Sequence, residues 1–282
     1  MQAPTTPAAA TTAEKSATRV IRPRSPRFDF SDVPRHWFKG VALSTHLVNG
    51  VNLLFPAGER FFVRSVHRFA SRVKDPALKE QVRGFNAQEG RHANAHERYF
   101  ETLEGQGYRI RGFLRVYEAF AFGFVERIAP EQLRLAVTVA AEHFTATLAR
   151  GGLAEDVFAG AHPTMRALLM WHACEEIEHK AVAFDVLREV NPSYALRMAG
   201  LAAATMLLGG FWMLGTAMLV AQDRIGAARL LSEVRLVGDH QPFSDRVFGR
   251  AIRSYVSRSF HPYDERGDDE LAREYLASVG LS

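Results

Sequence analysis

The sequence predicts an all-α protein, and three of its features support this class. From about residue 36 onward, apolar residues recur at helical spacing, and no run alternates between apolar and polar residues as a strand would. Glycine and proline residues divide this region into segments of helical length. The 282 residues, 47% of them hydrophobic, are enough for one large domain or two small ones.

The predicted helices follow one another with clear boundaries. An apolar stretch over 41–55 meets Pro56, which should kink or restart the helix before a second segment from about 57 to 74. Asp75 and Pro76 are typical of an N-cap and a first helical position. Further helices are expected from there to about 104 and over 110–128, 131–150 and 163–190, with breaks at nearby glycine or proline residues.

Residues 198–222 contain no charged side chain. A helix over this stretch is roughly 37 Å long, and a hydrocarbon layer is about 30 Å thick. The stretch is interpreted as a membrane span or deep membrane insertion, with a fully buried helix or a subunit interface as the alternative. Its four glycines fit either interpretation, because small residues allow close helix packing. Arg197 precedes the stretch and Arg224 and Arg229 follow it, so charge does not fix an orientation.

The charge distribution argues against a nucleic-acid partner. The chain has 35 basic and 31 acidic residues, and five of the basic and one of the acidic residues lie within 1–28, so the remaining body is neutral. Residues 1–27 are rich in Ala, Thr, Pro and Ser and are predicted to be disordered. They lack the apolar run of a secretory signal; contact with an anionic membrane surface is a second interpretation.

These features predict four regions along the chain. They are a disordered basic tail (1–28), a helical bundle (29–192), a hydrophobic membrane-associated or buried helix (193–223) and a short helical C-terminal tail (224–282). The single cysteine, Cys174, excludes a disulfide framework and a cysteine-based zinc site.

Two Glu-x-x-His pairs carry the chemical signal, Glu89 with His92 and Glu176 with His179. One such pair is expected from composition alone, so the argument depends on the rest of the pattern. Glu59 precedes Glu89 by 30 residues, and Glu142 precedes Glu176 by 34 residues. Each half of the pattern therefore supplies a lone glutamate on one helix and a Glu-x-x-His pair on the next.

Residues three apart share one face of a helix, so each pair can hold one metal ion. Four such helices packed together place four carboxylates and two imidazoles around a common centre. Buried carboxylates repel one another, and two divalent cations would balance the four negative charges. Oxygen and imidazole ligands favour Fe or Mn. The expected cofactor is two Fe ions, with Mn or a mixed Mn/Fe pair as alternatives.

The pattern resembles the ferritin-like di-iron carboxylate superfamily over about residues 55–190. The resemblance implies a ferritin-like four-helix bundle with additional helices, and Glu89 and Glu176 as bridging, catalytic carboxylates. Three segments are also similar to a bacterial family catalogued as predicted metal-dependent hydrolases: GERF at 58–61, QEGRH at 88–92 and EEIEH at 175–179. The implied location is the bacterial cytoplasmic side, in association with the membrane.

His172 lies four residues before Glu176, on the same helix face. The resulting His-x-x-x-Glu-x-x-His resembles the di-iron arylamine N-oxygenases, in which an extra histidine joins the site. We therefore include His172 among the predicted ligands; a hydrogen-bond donor to the site, or a packed histidine beside Trp171, is the alternative. His96 is a weaker candidate.

The remaining chemistry-bearing residues near the pattern have ordinary interpretations. His143 should point away from the site, His46 and His67 fall outside the pattern, and Cys174 is not expected to be a ligand. Glu175 and Glu178 are expected to form salt bridges or lie at the surface.

Three functional hypotheses follow from the predicted site. The leading one is a di-iron oxidoreductase that activates O2 to oxidise a small hydrophobic or lipid-like substrate, with an external electron donor. The second is a hydrolase whose two metal ions activate water. The third is iron storage or scaffolding, and the long hydrophobic segment argues against it. The sequence does not fix the oligomeric state, for which a homodimer is one candidate.

Overall fold

A computed structural model of the protein describes residues 19–239, 245–264 and 267–281. The interpretation of residues 1–18 as disordered lies outside these ranges. Within them the prediction of an all-α protein is confirmed, since every regular element is helical and the one β-bridge joins Phe38 to Ala161.

The helices follow the order of the sequence. They are α1 (Ala42–Asn52), α2 (Phe55–His67), α3 (Pro76–Gly105), α4 (Arg111–Glu118), a π-helical segment (Ala119–Val125), α5 (Glu126–Ile128), α6 (Glu131–Ala154), α7 (Pro163–His179), α8 (Val182–Val190), α9 (Tyr194–Asp223), α10 (Ala227–Asp239), α11 (Asp245–Tyr255), a 3-10 turn (Pro262–Asp264) and α12 (Asp268–Ser278).

Helices α2, α3, α6 and α7 form a four-helix bundle, in which α2 packs on α3, α6 on α7, α2 on α6 and α3 on α7. Local sequence features fix where two of these helices, α2 and α3, begin. Pro56 lies in the first turn of α2, where a missing N–H costs nothing, and the Asp75 carboxylate accepts from the Ala77 N–H to cap α3.

Three predicted helix boundaries were wrong. The helix expected over 57–74 ends at His67, and the one expected to stop at Gly151 continues to Ala154. At Gly152 a Cβ atom would lie 3.1 Å from the Phe158 ring, so this glycine lets the loop residue Phe158 pack close to the last turn of the helix. The long helix over 163–190 divides after His179, where Lys180 turns its buried ammonium toward the Asp268 carboxylate, 2.6 Å away.

The prediction of disorder for residues 1–27 is wrong for the described part, 19–27. Ile21 is buried in the bundle core, and the Arg24 side chain contacts Glu175 and Glu178 on α7. We call residues 19–30 the N-terminal strap. The low hydropathy of this segment did not predict an ordered strap, because the contacts of the strap depend on single apolar and charged residues that reach distant helices.

Helix α9 lies along the bundle and is held at both ends. One face packs on α1 and α6. Arg197 donates to the Ser257 carbonyl near its start, and at its end Asp223 accepts hydrogen bonds from Tyr108 and Arg35. By length and composition α9 is able to cross a membrane, and 22% of its most apolar window is buried. Its outer face exposes apolar side chains, so membrane association stays a prediction.

The close approach of α9 to α6 depends on Gly200. A Cβ atom at Gly200 would lie 2.4 Å from the Ala136 carbonyl oxygen, closer than any real contact. We expect Gly200→Ala to lower the free energy of unfolding by about 1–3 kcal/mol, although alanine favours helices over glycine. Urea unfolding measures this. The exposed Gly210 on the same helix meets nothing within 4 Å, so Gly210→Ala is the control and should not destabilise the protein.

Candidate metal centre

The structure brings all seven predicted ligands to one place inside the bundle. Each helix supplies its part: Glu59 from α2, Glu89 and His92 from α3, Glu142 from α6, and His172, Glu176 and His179 from α7. All seven are buried, the most exposed being Glu176 at 4%. Two apolar clusters enclose them, with the Phe85 ring against His179 and the Trp171 ring against His92.

Two imidazoles, those of His92 and His179, face the central carboxylates. His92 Nδ1 lies 4.0 Å from Glu89 Oε2 and 3.8 Å from Glu176 Oε1. His179 Nε2 lies 3.3 Å from Glu89 Oε1 and 3.3 Å from Glu142 Oε2. Its distance to Glu176 Oε1 is 3.5 Å. Glu89 and Glu176 therefore lie between the two histidines, the position that a bridging carboxylate needs.

His172 adds a third imidazole, whose ring lies beside that of His92 with 4.1 Å between the ring centroids. Its Nε2 lies 2.9 Å from Glu176 Oε1 and 3.5 Å from Glu59 Oε1. The arrangement contains three overlapping groups whose ligand atoms lie within 4.8 Å of one another: Glu59–His92–His172, Glu89–His92–Glu176 and Glu89–Glu142–His179. The two outer groups share no residue, so they can hold two separate ions.

The unpaired polar atoms of the site fit metal ions. Both carboxylate oxygens of Glu59, Glu89 and Glu142 are buried without a hydrogen-bond partner in the protein, as are His92 Nδ1 and His179 Nε2. A buried carboxylate without a partner is costly, and buried polar groups are otherwise almost always hydrogen-bonded. These eight atoms all belong to the predicted ligands, so the donor set has the composition expected for two oxygen- and nitrogen-bound cations.

The electrostatics of the site show how costly the metal-free arrangement is. Burial, reinforced by Glu142 and Glu176, raises the pKa of Glu89 well above its usual range, and burial together with Glu176 raises the pKa of Glu59 in the same way. Burial also raises the pKa of Glu142. A raised pKa favours the protonated form of each carboxyl, and divalent cations would displace such protons.

Glu176 and His179 form the ionised centre of the cluster. Burial opposes both charges, yet Glu176 and Glu142 raise the pKa of His179 to about 10. Burial likewise opposes the charge of Glu176, but His179 and the hydrogen bond from His172 hold its pKa well below its usual range. Burial and the neighbouring His172 lower the pKa of His92, which keeps that imidazole neutral and able to bind a metal.

Each of the three histidines is oriented through its second nitrogen. His92 Nε2 contacts Glu175 Oε2 at 3.0 Å, and His179 Nδ1 contacts Gln88 Oε1 at 2.8 Å. His172 Nδ1 contacts His96 Nε2 at 2.7 Å. Such partners fix the ring orientation and the position of the proton in metal-binding histidines. His96 is therefore a neighbour of His172, outside the three donor groups.

Sequence reasoning missed Gln88, Glu175 and Thr145. Gln88 and Glu175 precede ligands directly, and neighbours on a helix normally point in other directions, so spacing gave no signal. Glu175 does form the expected salt bridge, to Arg24, but it is fully buried, so its surface alternative is wrong. Thr145 on α6 donates its hydroxyl to Glu176 Oε2.

Among the described residues, the histidines at 36, 46, 67 and 143 lie away from the site. His143 Nε2 donates to the Ala251 carbonyl at 2.9 Å, and His67 is exposed at the end of α2. His46 and His36 each place Nε2 2.6 Å from Asp223 Oδ2. This second group of possible metal ligands is already neutralised by Arg35 and holds the end of α9.

Two apolar cavities adjoin the site between α1, α6 and α9. One, of about 180 Å³, is lined by Glu59 together with Leu208 and Gly209. The other, of about 70 Å³, is lined by His172 and Glu176. Five residues contribute to the lining of both cavities: Val51, Phe55, Thr145, Leu148 and Trp212. Apolar space therefore reaches the carboxylate side of the cluster.

Comparison with known proteins gives a family match. The model of a family described as predicted metal-dependent hydrolase matches residues 22–266, which include all seven predicted ligands and most of the strap. No curated protein and no solved structure matches the chain.

Proposed function

Since the chain belongs to the predicted metal-dependent hydrolase family, we propose that it is a dinuclear metalloenzyme, and specifically a non-haem di-iron oxidoreductase that uses O2 to oxidise a small hydrophobic substrate. The observation that carries the proposal is the donor set: four buried glutamates and three histidines in overlapping groups, with their unpaired atoms directed at one another.

Carboxylate-rich sites in helical bundles are typical of di-iron redox centres, and this favours oxidation over hydrolysis. When bound, two iron ions supply the electrons and open coordination positions for O2 reduction, and an external electron donor restores them. The ligands come from four helices of a packed core, so their positions are fixed before binding. Phe85 and Trp171 limit the access of water to the imidazoles.

The cavities support a hydrophobic substrate. Their lining is almost entirely apolar, and the larger cavity of about 180 Å³ reaches Glu59. An apolar protein cavity of about 150 Å³ accepts benzene. A small aromatic compound, or the end of an alkyl chain, therefore fits beside the carboxylates. The exposed apolar face of α9 borders this region through Leu208 and Trp212, which supports delivery from a membrane or another apolar surface.

Anaerobic loading with Fe2+ followed by O2 tests the proposal. We expect the loaded protein to consume O2, to change its electronic spectrum and to oxidise a member of a panel of aromatic amines, aromatic hydrocarbons and fatty acids in a single turnover. Protein loaded with Zn2+ is the control and should show none of these three effects. Loaded protein that binds two Fe2+ but neither consumes O2 nor oxidises any panel member contradicts oxidase or oxygenase chemistry.

The second candidate is hydrolysis, which the description of the matching family favours. Two metal ions can activate a water molecule against an ester or phosphoester. Activity with Zn2+ or Mg2+ under anaerobic conditions on aryl esters or phosphodiesters would support hydrolysis and overturn the oxidoreductase proposal.

A further inference from the structure

Arg24, on the N-terminal strap, lies outside the ligand set but forms ion pairs with two carboxylates next to it. Arg24 Nη2 lies 2.8 Å from Glu178 Oε1, and its Nη1 lies 2.9 Å from Glu178 Oε2 and 3.2 Å from Glu175 Oε1. Its backbone N–H also donates to Glu175 Oε1 at 3.0 Å, and its Nε donates to the Leu281 carbonyl. One guanidinium therefore holds two carboxylates of α7 in fixed positions.

One arm of this network reaches His92. Glu175 uses one oxygen for Arg24 and the other for His92 Nε2, 3.0 Å away. Burial raises the pKa of Glu175, and Arg24 acts against this effect. With the Arg24 guanidinium at its other oxygen, Glu175 is arranged to accept from the imidazole, which places the proton of the neutral ring on Nε2. The lone pair is then on Nδ1, the atom that faces Glu89 and Glu176.

The second arm reaches His179. Glu178 Oε2 accepts from Gln88 Nε2 at 2.8 Å, which fixes the orientation of the Gln88 amide. Gln88 Oε1 then faces His179 Nδ1 at 2.8 Å and accepts a hydrogen bond from the Nδ1–H group. Metal binding requires the neutral ring, and its lone pair is then on Nε2, which faces Glu89 and Glu142.

We infer that Arg24 is a positioning residue for both halves of the metal site, acting on His92 through Glu175 and on His179 through Glu178 and Gln88. The inference rests on the proposed metal site and adds to it a residue from outside the bundle. The packing of the strap on α3 offers a second way to disturb the same network, without changing Arg24 itself. A Cβ atom at Gly84 on α3 would lie 2.6 Å from the Ile21 Cβ, so the strap fits because residue 84 has no side chain.

Titration with Co2+ tests the inference, with visible absorption as the readout of coordination and circular dichroism as the readout of the fold. We expect Arg24→Gln to bind Co2+ about 10–100-fold more weakly than the natural protein and to change the shape of the absorption bands, since such partners tune affinity by this factor. Arg24→Lys keeps the charge but not the two-pronged geometry, and its affinity should be intermediate.

The matched control is Arg27→Gln, which removes the same charge from an exposed position of the same strap. It should bind Co2+ as the natural protein does. Gly84→Ala leaves the side chains of the network unchanged but displaces the strap that carries Arg24. It should reproduce the weaker binding and the altered bands. If Arg24→Gln does not fold, Arg24→Lys and Gly84→Ala carry the test.

Two results would overturn the inference. One is natural affinity and band shape in Arg24→Gln. The other is a weaker affinity with unchanged bands and a matching loss of helical signal before metal is added, because that describes a purely structural arginine. A natural protein that fails to bind two Co2+ overturns the proposed metal site itself, and so the two failures are distinguishable.

Discussion

Replacing Glu89 and Glu176 together by alanine should reduce bound metal from two ions to less than about one per chain, because both carboxylates lie between the imidazoles and would be shared by the two ions. The single variant Glu176→Gln keeps the shape of the side chain and the contact with Thr145 but removes the central negative charge. We expect it to lose at least one ion. Elemental analysis after loading with Fe2+ and removal of excess metal measures both effects.

The control for this experiment is Glu97→Gln on the same helix as Glu89. The Glu97 side chain is 52% exposed and pairs with Arg60 at the surface, so its loss should leave two ions bound and change stability by less than about 1 kcal/mol. A double alanine variant that still binds two ions with natural affinity would show that the ligands lie elsewhere.

Most of the candidate site was predictable because it depends on helix periodicity. Glu89 and His92 share a face through their spacing of three, and the same rule aligns His172, Glu176 and His179. The rule does not need the tertiary structure, and the structure brings these faces together in one bundle. Ligation itself stays a prediction that metal analysis tests.

The residues that the sequence did not indicate depend on long-range contacts. Glu175 precedes a predicted ligand, and its burial makes sense only with Arg24, which lies 151 positions earlier in the chain. The break after His179 contains no glycine or proline, and it occurs where Lys180 meets Asp268, 88 positions later. Short-range pattern rules contain no information on such pairs.

The face of α9 that packs against the bundle could not be predicted from the sequence either. Composition showed an uncharged helix but not which side of it is covered, because Gly200 faces α6 while the chemically identical Gly210 meets nothing. Small residues favour close packing in membranes and in soluble cores alike, and only the position of the neighbouring helix distinguishes them.

The metal-free protein should lose stability as the pH rises from about 7 to about 9, and bound metal should remove this loss. The folded-state pKa values of Glu59 and Glu89 are raised, mainly by burial, and that of His179 is raised to about 10 by Glu176 and Glu142 against the effect of burial. Their stabilising contribution is complete below the unfolded values and disappears as the pH rises through the folded ones. The slope is about 1.4 kcal/mol per pH unit for each proton that the folded state holds in excess.

Other groups of the site act outside this window. The pKa values of His92 and His96 are lowered by burial and by neighbouring His172, so these residues reduce stability only as the pH falls below the ordinary histidine value. Glu176, held well below its usual pKa by His179 and His172 against the effect of burial, contributes only in still more acidic solution. Among the groups of the site, the carboxyls and His179 therefore dominate the pH dependence above pH 7, and the comparison with Glu89→Gln separates them from Cys174 and Lys180, whose pKa values burial raises and lowers respectively.

Urea unfolding of chelator-treated and Mn2+-loaded protein at pH 7, 8 and 9 measures the effect. Metal displaces the shared protons, so the stabilisation by Mn2+ should increase with pH. Glu89→Gln is the informative variant: it removes one carboxyl with a raised pKa and should flatten the pH dependence of the metal-free protein, whereas Glu97→Gln should leave it unchanged. Metal-free protein whose stability is constant or rises between pH 7 and pH 9 would contradict a proton-sharing cluster, because four glutamates buried together cannot all ionise without a compensating charge.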